Sequence, residues 1–158
     1  MTNKKTTQTL NRLIEVNNDR IEGYESASVK TQEDDLKNIF FQFIQTSKKC
    51  NVELISEVLQ LGGKPEKGCK IIDKFFKIWS RLKSELICKN RRAVLTLCKY
   101  IEDKSTDIYD HVLRNNLDDL NGDQQKLVWT QRILLKKDYY AISALRDKLL
   151  ISSASLTH

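Results

Sequence analysis

Glu102 is the residue whose placement could do chemistry. It lies in RRAVLTLCKYIEDKSTDIYDHVLRNN, residues 91 to 116, a stretch without Gly or Pro that reads as one helix. At about 100° per residue, Val94, Leu97, Cys98, Ile101, Ile108, Tyr109 and Val112 fall on one stripe, with Ser105 near its centre and Glu102 at its edge. A carboxylate turned towards a bundle interior is costly unless it is paired, hydrogen-bonded or bound to a metal. Similar polar positions interrupt other apolar stripes: Asn17, then Ser47 and Asn51, then Gln131 and Asp138.

The elements that must hold these side chains are long helices, because the chain has one Pro and five Gly in 158 residues. The first helix is expected from about Thr7 to Ser28, with Leu10, Leu13, Ile14, Ile21 and Tyr24 on its apolar face. Residues 1–6 read as a disordered start. Thr31 with Asp34 reads as an N-cap pair opening a second helix, Gln32 to Leu61. Gly62-Gly63 and Pro65 close that helix. Cys69 to Ile87 reads as a shorter amphipathic helix, and Asn90 as the cap of the helix carrying Glu102. Asn121 and Gln124 fit a capping box for a last helix ending near Leu150. Its stripe reads as Leu127, Leu134, Leu135, Ala141, Ile142, Leu145 and Leu149, and residues 151–158 read as a flexible tail.

Residues 7–150 are thus expected to form one all-α domain, a four-helix bundle with an extra amphipathic helix between helices two and three. So long a connection lets helices two and three run parallel, the crossover topology of ferritin-like bundles. Folding the chain at residue 31 sets Asn17 level with residues 45–47. Folding it at residue 120 sets Glu102 opposite Asp138. One polar layer is then predicted from Asn17, Ser47, Glu102, Ser105 and Asp138, with Tyr109, Gln131 and Asn51 further along.

A di-iron bundle site uses four carboxylates and two His in Glu-x-x-His pairs. This chain has no Glu-x-x-His; its histidines are His111, on the outer side of its helix, and His158. The layer therefore reads as a neutral hydrogen-bonded cluster or as a degraded site for a divalent metal, iron or manganese. As a bare pair, Glu102 and Asp138 would be a costly contact, so Glu102→Gln with Asp138→Asn is expected to be neutral or stabilising. No Ser/His/Asp or Cys/His constellation and no glycine-rich phosphate loop is legible, so no catalytic residue is assigned. Cys50, Cys69, Cys88 and Cys98 lack CxxC spacing and read as reduced small hydrophobes.

The net charge of +6 is concentrated: residues 64–92 hold ten Lys/Arg and three Asp/Glu, while the rest is nearly balanced. Lys70, Lys74, Lys77, Arg81 and Lys83 surround Trp79. They read as a solvated basic face, with peripheral contact to an anionic membrane as the alternative and nucleic acid disfavoured. No run of about 18 apolar residues occurs, and the first ten residues have no signal-peptide core, so a cytoplasmic protein is expected.

Several residues together resemble a known family. They are Asn18-Asp19 with Gly23-Tyr24; Glu53-Leu54 and Leu61-Gly62-Gly63-x-Pro65; Gly68; Trp79 with Leu82-Lys83-Ser84; Glu102-Asp103 with Tyr109; Gln131; and Leu145-Arg146-Asp147. Over about residues 10 to 150 the chain resembles a bacterial ferritin-like four-helix-bundle family of unknown function, whose members are sometimes mislabelled aldehyde dehydrogenases. The family pattern usually has His-Arg before the tryptophan, where this chain has Phe76-Lys77, and a His where this chain has Tyr139. Both changes remove potential metal ligands. The resemblance implies the fold more than a function; the absent metal ligands and nucleophile constellations point to a non-catalytic structural, interaction or stress-associated protein with a protein partner or a homo-oligomeric state. Its alternative is a metal-binding bundle of oxidase or storage type. A variant Trp129→Phe tests the segment around Trp79: buried-type fluorescence is expected, and a solvent-type emission maximum would mean that the segment does not pack on the bundle.

Overall fold

In the computed structural model, residues 2–68 and 91–155 are described. Four long helices account for most of them: α1 (Asn3–Lys30), α2 (Asp34–Gln60), α3 (Arg91–Asn115) and α4 (Gly122–Ser155). A short 3-10 turn, Leu117–Asp119, links α3 to α4, and no strand occurs among the described residues. The expected short helix over Cys69–Ile87, with Lys70, Lys74, Lys77, Trp79, Arg81 and Lys83, and the expected cap at Asn90 lie outside the described residues.

Local chemistry sets the helix ends. The side chain of Thr2 accepts from Lys5 N, so α1 starts earlier than its apolar pattern suggests. The Thr6 hydroxyl donates to Asp119 O, tying the start of α1 to the α3–α4 turn. The expected cap at Thr31 is displaced: Glu33 occupies the N-cap of α2, and Thr31 Oγ1 accepts from Glu33 N at 3.2 Å within the turn. At the other end of α2, Gly62 takes φ +75°, a backbone region that side chains disfavour. Gly63 N then bonds Val58 O and Gly62 N bonds Leu59 O, the paired bonds of a Schellman ending. Asn121 and Gln124 exchange side chain-to-backbone bonds of 2.8 and 3.0 Å, the reciprocal capping box expected for α4. That helix continues past Leu150 to Ser155, and the last three residues of the expected tail lie outside the described residues.

The helices form a square in which α1 contacts α2 and α3, and α4 contacts α3 and α2. Two interior layers give their directions. One contains Arg20, Ser47, Glu102 and Asp138; the next contains Asn17, Cys50, Tyr109 and Gln131. Between these layers residue numbers rise on α2 and α3 and fall on α1 and α4. Helices α2 and α3 are therefore parallel, which the long connection between them permits. Its first part is pinned to α1: Asn11 Nδ2 donates to Lys64 O, Asn11 Oδ1 accepts from Glu66 N, and Asn18 Nδ2 donates to Gly68 O. At the start of α3, Arg91 bonds Glu33 and Asp35.

Two apolar clusters sandwich the polar layers. One gathers Tyr24, Leu36, Phe40, Phe43, Leu95, Cys98, Ile101 and Ile142; the other gathers Leu10, Leu13, Leu54, Val58, Val112, Val128 and Leu135. On α4 the observed core line includes Val128, whereas Ala141, assigned to the stripe from sequence, is exposed. Leu54 is fully buried, so Leu54→Ala is expected to cost about 2–5 kcal/mol in urea or thermal unfolding. Val52→Ala on the outer side of the same helix should stay within about 0.5 kcal/mol of wild type. Equal effects at the two positions would reject this facing of α2.

Candidate functional site

The interior layer is organised by a residue that lies outside the apolar stripe of α1. Arg20 projects from α1 into the bundle centre and is completely buried. Leu13, Asn17, Arg20, Tyr24 and Ala27 recur at steps of three and four, so Arg20 belongs to the inward face of α1. Its guanidinium reaches every other helix. Nη1 donates to Ser47 Oγ on α2 at 2.6 Å. Nε and Nη2 donate to Glu102 Oε1 on α3 at 3.3 and 2.9 Å. Nη2 also donates to Asp138 Oδ2 on α4 at 2.9 Å. The Tyr24 hydroxyl donates to the same Glu102 oxygen. Aromatic rings line the apolar flank: Arg20 Cζ stands 5.8 Å from the centroids of both Tyr24 and Phe43.

The next layer is a second four-helix network. Asn17 Nδ2 donates to Tyr109 OH at 2.8 Å, and Tyr109 OH donates to Gln131 Oε1 at 2.8 Å. Gln131 Nε2 donates to Cys50 O at 3.1 Å. Ser105 is buried near both layers, but its hydroxyl donates to Ile101 O within α3 and joins neither network. Asn51 faces Asn18 instead, donating to Asn18 Oδ1 at 2.9 Å. His111 and Asp107 are exposed, with His111 Nδ1 near Asn115 Nδ2. The structure thus brings Glu102, Asp138 and Ser47 onto Arg20, joins Asn17, Tyr109 and Gln131 to each other, and leaves Ser105 aside.

Charge dominates the first layer. Burial opposes the positive charge of Arg20, but Glu102, Tyr24 and Asp138 around it hold the proton more firmly than usual. Burial pushes both carboxyls above their ordinary range, while Arg20 pulls them back. One cation faces two carboxyls in a dry environment, so the pair holds a proton longer than free carboxylates do. Glu102 Oε2 is buried without a hydrogen-bond partner among the described residues, whereas Oε1 accepts from three donors. Burial pushes the Cys50 thiol up to about 12 and raises that of Cys98 too, so neither is a reactive thiolate at neutral pH.

A divalent iron or manganese ion does not fit this layer as it stands. Both carboxyls already turn an oxygen onto Arg20, and an added cation would sit against the guanidinium without compensating ligands. Among the described residues no three His, Cys, Asp or Glu side chains converge as a metal-holding group. The arrangement can compensate a buried positive charge and link four helices.

The family described as domain of unknown function DUF2383 matches residues 5–115, so the chain belongs to this family. The match spans α1, α2 and α3, and with them Arg20, Ser47 and Glu102. No curated protein matches the chain.

Arg20 reverses the outcome expected for neutralising both carboxyls. Glu102→Gln with Asp138→Asn leaves a buried guanidinium without an anion, at a cost of about 3–5 kcal/mol rather than a gain. Glu102→Gln alone keeps Asp138 as counter-ion and reports on the shared proton. The two raised carboxyls make folded protein retain a proton that unfolded chain has released above about pH 4. Stability contributed by the pair therefore falls as pH rises from there through the raised folded values, and levels off above them. In Glu102→Gln the fall above about pH 4 should shrink, because one of the two raised carboxyls is gone. Urea unfolding at a series of pH values from about 4 upwards reads the difference, and an unchanged slope would place the proton elsewhere.

Proposed function

We propose that this chain is a non-catalytic helical bundle that acts through its surface, as a structural or interaction protein. One observation carries the reading: the polar layer is nearly closed, with Arg20, Ser47, Glu102 and Gln131 at 0% exposure and Asp138 at 8%. Its groups are turned onto one another, and a substrate reaching them would have to displace Arg20 or part the helices. A metal-dependent oxidase or storage activity is disfavoured by the same guanidinium, which occupies the carboxyl oxygens such a reaction would need.

The outer side of α2 supports a role in association. Phe41, Val52 and Leu59 are 63%, 70% and 59% exposed and lie along one flank, beside a shallow concavity lined by Val52, Ile55 and Leu59. Exposed apolar patches of this kind mark contact surfaces in soluble proteins. The reading takes a second copy of the chain as the simplest partner. The parallel course of α2 and α3 supports a ferritin-like bundle, while a bacterial setting rests on the family resemblance alone. No helix among the described residues is long and apolar enough to cross a membrane. The charge concentrated in residues 64–92 favours one second reading, contact with an anionic surface.

Light scattering after size exclusion tests association. Wild type is expected to exceed the mass of one chain, and Val52→Glu with Leu59→Glu to return it to a monomer with an unchanged unfolding midpoint. A wild type that stays monomeric at about 100 μM, far above the micromolar range of ordinary specific contacts, would contradict the homo-oligomeric reading. Retention of the monomer on phosphatidylserine vesicles at physiological salt would then favour the anionic-surface reading.

A further inference from the structure

We infer that Arg20 is the resident cation of the interior layer, and that it fills a position which, without it, would bind a divalent metal ion through Glu102 and Asp138. The inference rests on the nearly closed layer described under the proposed function, but it concerns a binding capacity and not a surface.

Three observations carry it. First, carboxyl oxygens from two helices converge on a single nitrogen: Arg20 Nη2 is 2.9 Å from Glu102 Oε1 and 2.9 Å from Asp138 Oδ2. The point within reach of both is thus taken by a positive group that belongs to the chain. Oxygen-to-metal distances are about 2.0–2.2 Å for small divalent ions, so each carboxyl would close in by less than about 1 Å, within the range of a side-chain rotation. Second, Glu102 Oε2 is fully buried and unpartnered among the described residues, which leaves a further oxygen available on the same carboxylate. Third, Ser47 Oγ and the Tyr24 hydroxyl border the same space, each bonded to the arginine or to its anion. Hard oxygen donors of this kind suit manganese or iron(II) better than soft metals.

Arg20 also explains why the layer needs no ion. Two carboxyls buried together require a cation, a proton or both. An arginine meets that need permanently, because its guanidinium is charged at every accessible pH and its planar fork serves several acceptors at once. A metal would be lost to a chelator; the arginine cannot be. On this account the layer has a fixed internal cation in the place where a metalloprotein bundle holds an exchangeable one.

The test uses the full chain, stripped by chelator, as wild type, Arg20→Ala and Arg20→Ala/Glu102→Gln. Each is titrated with Mn2+ and with Co2+, and separately with methylguanidinium. Wild type should show no cobalt absorption band and no shift in midpoint. Arg20→Ala should gain a Co2+ band at one ion per chain, and its midpoint should rise by about 5 °C or more at saturating Mn2+. The added Glu102→Gln should abolish both effects. Two results would overturn the inference: a folded Arg20→Ala that ignores both metals, or a wild type that binds them through Glu102. If Arg20→Ala is unfolded alone, circular dichroism decides. Recovery of helix by Mn2+ as well as by methylguanidinium supports the inference, while recovery by methylguanidinium only, or by neither, overturns it. Because the readouts are metal uptake and helix content, failure here is distinct from failure of the association reading.

Discussion

The architecture depends on how one buried charge is compensated. A guanidinium removed from water loses more solvation than any single hydrogen bond returns, so it persists in a core only with anions and acceptors arranged around it. Arg20 obtains them from all three neighbouring helices: a hydroxyl from α2, a carboxylate from α3 and a carboxylate from α4. Each partner sits at one height on its helix. Sliding any helix by a turn, about 5.4 Å, would break its bond to Arg20 and strand a polar group in the core. The apolar clusters above and below are less selective, because aliphatic side chains repack across alternative registers at modest cost. The polar layer therefore specifies one alignment among several that hydrophobic burial alone would tolerate.

The second network supports the same alignment with neutral groups. Its chain of donors runs from Asn17 through Tyr109 and Gln131 to the backbone of Cys50, crossing from α1 to α3 to α4 to α2. The two layers are adjacent on α1 and about two turns apart on α3 and α4. Together they fix axial position as well as pairing. Outside this interior, the crossing chain is held by Asn11 and Asn18, and the start of α3 by Arg91 with Glu33 and Asp35. That exposed ionic cluster lowers the Asp35 carboxyl, chiefly through its hydrogen bond from Arg91, but solvent screening limits its weight in stability.

The layer was partly legible from the chain itself. The short turns near residues 31 and 120 set the hairpin registers, so the shared level of Glu102 and Asp138 follows from counting outward from each turn. The parallel course of α2 and α3 is permitted by the length of their connection. Arg20 was not legible by hydrophobic pattern, because a stripe search treats arginine as a surface residue. The signal that could have found it is its spacing: it continues the line through Leu13, Asn17 and Tyr24 at helical intervals. Two inward carboxylates with no histidine nearby also imply an internal cation. The placement of Val128 rather than Ala141 in the α4 core depends on the facing of that helix, which Gln124, Gln131 and Asp138 fix through polar contacts invisible to an apolar count.

The most direct measurement of the central claim is a double-mutant cycle between Arg20 and Glu102, using Arg20→Met, Glu102→Gln and the combined variant in urea unfolding at pH 7. If Arg20 depends on Glu102 for compensation, the two changes should be strongly non-additive, with a coupling energy of about 2–3 kcal/mol. A coupling within about 0.5 kcal/mol of zero would contradict the account, because it would mean that the buried guanidinium and the carboxylate do not depend on each other.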